Sequence, residues 1–280
     1  MKRAYLLGVA LALILPPSLS QAAPFVIGPA TYSGNYYIYA YGDGYSTTTS
    51  GPTSLSLSAN SIDPINHPAT SAASLNISPT PFPTISASAS ANGGYSAVSG
   101  ALSYQFSIVS SDPYDPANPV YVPTIVSYKG GASASSASVG ATSSFLIAGN
   151  NFAESYRVTV GAAPLSLHQV NGITQPFSGT SFDEHKVYSM IANAYYHIDL
   201  LASATAGIAL GSASAFIDPY IQIDPSFADA AKYSIVLSQG IGNIAGSVST
   251  TPLPPALPMF GAGLLALGAI GYRKRRGSTI

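Results

Sequence analysis

Alternation of apolar and polar residues with a period of two is the feature that most restricts how this 280-residue chain folds. It is clearest over residues 102–108, where Leu102, Tyr104, Phe106 and Ile108 would share one face of an extended strand. Similar alternation occurs in four other segments, which are 54–58, 156–160, 217–223 and 233–238. A helix would scatter these side chains around its surface. The pattern therefore predicts an all-β protein.

Turn-forming residues divide the predicted strands. We expect hairpin turns at Asn92-Gly93-Gly94, Lys129-Gly130-Gly131 and Asn171-Gly172, because Gly and Asn tolerate the positive φ that tight turns need. Residues 40–52 are rich in Gly, Ser and Thr, and residues 78–84 contain three prolines. Both segments are predicted as loops or extended segments.

One segment fits two structures. Apolar residues of 187–201 would line a helical face, but its second half also suits a strand, and we favour two strands joined near Ala192-Asn193-Ala194. Taken together, the patterns favour a β-sandwich over residues 23–250, with loops more frequent in its first part, 23–90.

Charge is scarce and unevenly placed. Charged residues make up 8% of the chain and hydrophobic residues 47%, which favours a packed sheet protein over a disordered one. Residues 23–250 hold four basic and eleven acidic side chains, a net charge of −7. Such a body has no basic surface for nucleic acid. The chain also has no cysteine, and an exported protein without disulfides is more typical of a bacterial envelope.

The first 22 residues are typical of a secretory signal peptide. Lys2 and Arg3 form the basic start, and residues 4–15 form an uncharged apolar run. Ser20-Gln21-Ala22 places small residues at the two positions that signal peptidase reads, so cleavage is predicted after Ala22. A retained membrane anchor is the alternative, but the run is short for a membrane span.

The C-terminal segment, 251–277, has three parts. A proline-rich break with Pro252, Leu253, Pro254 and Pro255 precedes an apolar stretch over 256–272, and the basic residues Arg273, Lys274, Arg275 and Arg276 close it. A helix over that stretch would be about 25 Å long, near the lower limit for crossing a bilayer. The basic residues favour a cytoplasmic end. A plain single-pass anchor is the alternative to a sorting signal.

This tail resembles a PEP-CTERM sorting signal of the variant that reads V-P-L-P-A-A-L. It departs from the commonest form of the signal at Thr251, where Val is usual, and at Leu253, where Glu is usual. The resemblance implies recognition by an exosortase, a membrane transpeptidase that removes the anchor, and delivery to the cell surface, often alongside exopolysaccharide. Within residues 180–245, four segments are also similar to a block found in many PEP-CTERM ectodomains, which implies the last strands of a jelly-roll-like domain. The segments are Phe182-Asp183-Glu184, 212–228, Tyr233-Ser234-Ile235 and Gly240-Ile241-Gly242-Asn243.

Four aspartates are weak candidates for a metal site. Asp112 and Asp115 lie in an acidic turn that offers oxygen ligands to calcium, but the spacing of a calcium loop is missing. Asp218 and Asp224 would share a strand face about 20 Å apart, too far for a hydrolase pair unless the chain folds back at Pro219. Capping of turns before proline is the alternative role.

Two further groups have alternative interpretations. His197 and Asp199 would share a strand face, where the contact would orient a base or bind a metal, or else His197 is a structural or surface histidine. Six tyrosines near the mature N-terminus offer a glycan platform or pack on a sheet face. They are Tyr32, Tyr36, Tyr37, Tyr39, Tyr41 and Tyr45, of which the last four fit one strand face.

The sequence thus predicts a non-enzymatic structural or adhesive protein of the bacterial cell surface or extracellular matrix. No G-x-S-x-G motif or other catalytic motif is present. Signal peptidase, exosortase and exopolysaccharide are the expected partners, with an inner-membrane intermediate and without nucleic acid. No cofactor is predicted, with calcium as the alternative. The rival function is a carbohydrate-binding or carbohydrate-active β-sandwich module.

Overall fold

A computed structural model describes residues 27–40, 43–62, 68–110, 117–150, 152–207 and 210–243. These residues form fifteen β-strands and one short 3-10 helix, Ala230–Lys232, and contain no α-helix. No helix within these ranges has the length and hydropathy of a membrane span. The predicted cleavage site at Ala22 and the predicted sorting tail at 251–277 lie outside the described residues.

The larger of two antiparallel sheets contains nine strands. They are β1 (Thr31–Ala40), β2 (Asp43–Thr49), β6 (Tyr95–Ser110), β8 (Val139–Gly149), β9 (Phe152–Val160), β10 (Leu165–Val170), β11 (Ile173–Pro176), β13 (Tyr195–Ala206) and β15 (Tyr233–Leu237). Their order is β11-β10-β9-β8-β13-β6-β1-β2, and β15 pairs with the end of β6.

The smaller sheet contains six strands. They are β3 (Thr53–Ile62), β4 (Pro68–Ser78), β5 (Thr84–Asn92), β7 (Tyr121–Ala134), β12 (Ser181–Ile191) and β14 (Gly211–Ile223), in the order β12-β7-β14-β5-β4-β3. After β5 the chain passes repeatedly between the sheets, so neighbours in space are often distant in sequence.

The core lies between the two sheets, as in a β-sandwich, and is built from the inward half of each alternating strand. Leu102, Tyr104, Phe106 and Ile108 of β6 are all buried, as the sequence pattern predicts. The ring of Tyr128 in β7 stacks on that of Phe145 in β8, with 4.1 Å between centroids and 11° between planes. This stack joins the smaller sheet to the larger one. The predicted all-β class is confirmed.

Several local predictions are confirmed. Strands β12 and β13 are joined by a turn at residues 192–194, and Asn193 has a φ of 59°. The hairpin between β10 and β11 turns at Asn171 and Gly172, both with positive φ. Gly93, in the turn between β5 and β6, also has a positive φ of 70°.

Residues 40–52, predicted as a loop or an extended segment, contain the extended strand β2, whose threonines pair with β1, because β-branched side chains suit a sheet edge. Two other predictions need correction. The described part of 23–90, expected to be loop-rich, likewise contains most of β1 to β5.

The second correction concerns Lys129-Gly130-Gly131, which lies within β7 and makes no turn. A Cβ on Gly130 would sit 2.4 Å from Cζ of Phe182 and 2.7 Å from Oγ of Ser143. Gly130 is therefore required by close packing inside the sandwich, where any side chain would collide with its neighbours.

Candidate functional site

Asp218 and Asp224, the two candidate aspartates within the described residues, have different surroundings. Asp218 lies on the outer face of β14, opposite Lys129 of β7 in the ladder. Partial shielding by the sheet raises the pKa of Asp218, and the charge of Lys129 opposes that rise. The predicted turn-capping role of Asp218 is therefore wrong, since the residue lies within a strand.

Asp224 does cap a turn. Its Oδ1 accepts hydrogen bonds from the backbone N–H and the hydroxyl of Ser226, at 2.8 and 2.7 Å. These bonds lower the pKa of the Asp224 carboxyl. Asp112 and Asp115 lie outside the described residues. Within the described ranges no three His, Asp or Glu side chains cluster closely enough to hold a metal ion.

His197 and Asp199 share the outer face of β13, as predicted. Nε2 of His197 is 3.7 Å from Oδ2 of Asp199, and both side chains are close to half exposed. This geometry is that of a loose surface ion pair, which forms only when the imidazole is protonated. Asp199 also lines a groove on the same face of the larger sheet.

A groove of about 490 Å³ crosses the outer face of the larger sheet. Two adjacent rows of side chains line it, each row running across strands β6, β13, β8, β9 and β10. In strand order the first row contains Ser103, Asp199, Leu146, Ser155 and Gln169, and Thr174 of β11 extends it. The second row contains Ala101, Leu201, Ser144, Arg157 and Leu167.

The groove combines an apolar base with hydrogen-bonding groups of both kinds. Leu146, Leu201 and Leu167 supply apolar surface, while small residues leave open space between them. Asp199 offers carboxylate acceptors, Arg157 offers guanidinium donors, and Gln169 offers both donor and acceptor atoms. A concave site of this volume with a few convergent polar groups is within the range of ligand-binding sites.

Arg157 differs from the three lysines of residues 23–250 in its ion pairing. The three lysines between residues 23 and 250 each lie near a carboxylate: Lys129 near Asp183 at 3.7 Å, Lys186 beside Glu154, and Lys232 near Asp229 at 3.0 Å. Arg157 is exposed and has no ion pair with any carboxylate of the described residues. Its guanidinium thus remains available to a ligand in the groove.

A second cluster of polar groups is buried at the edge of the sandwich, around Glu154 of β9. Glu154 is 5% exposed. Its Oε1 accepts hydrogen bonds from Nε2 of His168, at 2.6 Å, and from Nζ of Lys186, and its Oε2 accepts one from the Tyr188 hydroxyl at 2.7 Å. Lys186 also donates to the Tyr156 hydroxyl at 2.8 Å.

These contacts set the ionisation of the cluster. Burial alone would raise the pKa of Glu154, but hydrogen bonds from Lys186, Tyr188 and His168 outweigh it and lower the pKa. Burial lowers the pKa of Lys186, whereas its bonds to Glu154 and Tyr156 raise it by more. The cluster therefore holds a carboxylate and an ammonium at neutral pH.

The Glu154 cluster connects the two sheets. Glu154 and His168 belong to the larger sheet, and Lys186 and Tyr188 belong to β12 of the smaller one. Aromatic rings close around it, with Tyr156 stacked on His168 at 4.2 Å between centroids. Both carboxylate oxygens are already hydrogen-bonded, so the cluster is better suited to holding the sheets together than to proton transfer.

The N-terminal tyrosines divide between two environments. Tyr37 and Tyr39 are about half exposed on the outer face of the larger sheet, and Tyr37 contacts Tyr95 edge-on at 5.6 Å. Tyr45 was predicted on the same face, but it pairs with Ile38, whose side chain points into the core. Tyr36 is buried, and Tyr41 lies outside the described residues.

Sequence reasoning missed Arg157, Gln169 and the Glu154 cluster as sites. Their partners lie 14 to 34 positions away in the cluster, and no local motif marks them. One signal was present: Glu154 and Tyr156 share the buried face of an alternating strand, where an unpaired carboxylate is costly. The pattern therefore predicts a buried hydrogen-bond or ion-pair partner for Glu154.

None of the protein-family models, curated proteins or solved structures compared with this chain matches it.

Proposed function

We propose that this protein is exported, sorted to the cell surface or extracellular matrix by an exosortase, and serves there as a structural or adhesive protein alongside exopolysaccharide. The observation that carries the proposal is the tripartite tail of residues 251–276, with its proline break, apolar stretch and four basic residues. The basic N-terminus followed by an apolar run supports export from the other end.

The chemistry of the sandwich surface supports the matrix role. Serines form a row across five strands of the smaller sheet: Ser56, Ser74, Ser88, Ser214 and Ser133. Hydroxyls of Ser74 and Ser88 are 2.7 Å apart, and those of Ser133 and Ser214 are 2.8 Å apart. This uncharged row of hydroxyls is compatible with a hydrated polysaccharide. We further propose a jelly-roll-like arrangement, which the repeated crossing of the chain between sheets supports.

The test is mass spectrometry of the protein isolated from the surface of cells that naturally produce it. We expect an N-terminus at Ala23 and a C-terminus that lacks Arg273 to Arg276. A surface form that still carries Arg273 to Arg276 would contradict exosortase sorting. Recovery of the protein only from the cytosol, with residues 1–22 attached, would contradict export as well.

A second candidate function is a carbohydrate-binding module, and the groove over Leu146 and Leu201 favours it. A sugar ring presents both an apolar C–H face and polar hydroxyl groups. The apolar surface of the groove suits the first, and its hydroxyl, amide and charged groups suit the second. This function is compatible with the first, because an adhesive matrix protein needs a contact with the matrix.

A further inference from the structure

We propose that the groove formed by the two rows across β6, β13, β8, β9 and β10 binds an acidic oligosaccharide, with Arg157 holding a sugar carboxylate. The inference rests on the proposed surface or matrix function and names the ligand class for it. It concerns a carboxylate-bearing sugar chain in particular, such as a polymer of uronic acids.

The direction of the groove favours an elongated ligand. Its lining residues come from six neighbouring strands, in the order β6, β13, β8, β9, β10 and β11, and lie at matching positions of the ladders. Five steps of about 4.8 Å between strands give a length of about 24 Å across the sheet. A groove that is long in one direction and about 490 Å³ in volume accommodates part of a chain better than a compact metabolite.

The free guanidinium favours an acidic ligand. The body carries a net charge of −7, which repels anions in general. Each lysine of the body lies within 4 Å of a carboxylate, but Arg157 pairs with none in the described residues. Its planar donors match a carboxylate bidentately, a geometry that a lysine cannot provide. Recognition of an anion is therefore concentrated at this one side chain.

The remaining polar groups match the hydroxyls of a sugar. Asp199 lies two strands from Arg157 and one row away, so both remain available to different parts of one ligand. The Gln169 amide and the hydroxyls of Ser103 and Ser155 lie in the same row as Asp199. Leu146 and Leu201 provide apolar surface for the C–H side of the sugar ring.

A peptide is the less suitable occupant. One common way for a protein to bind an extended peptide is to add it to a sheet edge, where backbone groups are free. The strands that form this groove are hydrogen-bonded to neighbours on both sides from β13 to β10, so the groove presents side chains only. Recognition must then come from the hydroxyl, amide and charged side chains of the groove, which can hydrogen-bond to the hydroxyl groups of a sugar.

The experiment is isothermal titration calorimetry on the full protein as exported by an expressing host. Two probes are compared: a hexamer of uronic acid and the same hexamer after reduction of its carboxylates to neutral alcohols. The variants are Arg157→Gln, Arg157→Lys and, as a matched control, Lys129→Gln, which removes an exposed cation from the other sheet. Circular dichroism checks that each variant is folded.

We expect the acidic hexamer to bind at least tenfold more tightly than the neutral one. Arg157→Gln should weaken acidic binding at least tenfold, Arg157→Lys should restore part of it, and Lys129→Gln should leave it unchanged. Equal binding of both probes with no effect of Arg157→Gln would overturn the proposal. So would an absence of binding at millimolar ligand, or equal losses in Arg157→Gln and Lys129→Gln. None of these results affects the proposed export and sorting, which the terminal masses test separately.

Discussion

Removing the charge of Glu154 should destabilise the protein at neutral pH and make its stability less sensitive to acid. In Glu154→Gln the shape is kept, but Lys186 and His168 lose their anionic partner. Hydrogen bonds to a charged group contribute about 1.5–3 kcal/mol each. Gln keeps one acceptor oxygen, and Lys186 is partly exposed, so water replaces part of the loss. We expect a destabilisation of about 2 kcal/mol, within the range for a charged hydrogen bond.

The pH dependence has a defined sign. Native contacts lower the pKa of Glu154 below its ordinary value of 4.5. Its stabilising contribution is therefore present above pH 4.5 and is lost as the pH falls through the lower, folded-state pKa. The free energy of unfolding of the wild type should fall between pH 4.5 and the lower, folded-state pKa, because Glu154 takes up a proton there. Glu154→Gln has no carboxylate at this position, so its stability should not show this contribution to the decrease. The difference between the two proteins should shrink below pH 4.5.

The assay is urea denaturation of the purified protein followed by far-ultraviolet circular dichroism, at pH 7 and at steps below pH 4.5. Asp183→Asn is the matched control, since it also breaks a carboxylate–lysine pair on β12, but one that is mostly exposed. Such a pair contributes about 0–1 kcal/mol. Equal effects of the two substitutions at pH 7, or a constant difference between wild type and Glu154→Gln at all pH values, would refute the role assigned to the cluster.

Three further substitutions test the packing and the turns. Gly130→Ala places a Cβ 2.4 Å from Phe182, and we expect a loss of about 1–3 kcal/mol by overpacking in urea denaturation; wild-type stability would disprove the close contact. Phe145→Ala removes a fully buried ring stacked on Tyr128, at a cost of about 3–5 kcal/mol in the same assay; a loss below 1 kcal/mol would contradict the core assignment. Gly172→Ala meets open space but a φ of 83°, so backbone strain alone should cost about 1–2 kcal/mol, and an unchanged midpoint would exclude that conformation.

The all-β class followed from the sequence because its signal is local. Alternation over Leu102 to Ile108 needs only the two-residue period of a strand and the requirement to bury apolar side chains. The turns at Asn171-Gly172 and at Asn193 are equally local, since Gly and Asn adopt positive φ with little strain. The division of 187–201 into two strands was predictable for the same reason.

The candidate sites depended on strand pairing across long distances in the chain. Arg157 and Asp199 line one groove only because β8 lies between β9 and β13 in the larger sheet. Glu154 meets Lys186 only because the two sheets close together at that edge. Gly130 resembled a turn residue, and the packing of Phe182 and Ser143 against it assigned it to a strand. Pairing and register of this kind result from the collective burial of the core, which no short segment encodes by itself.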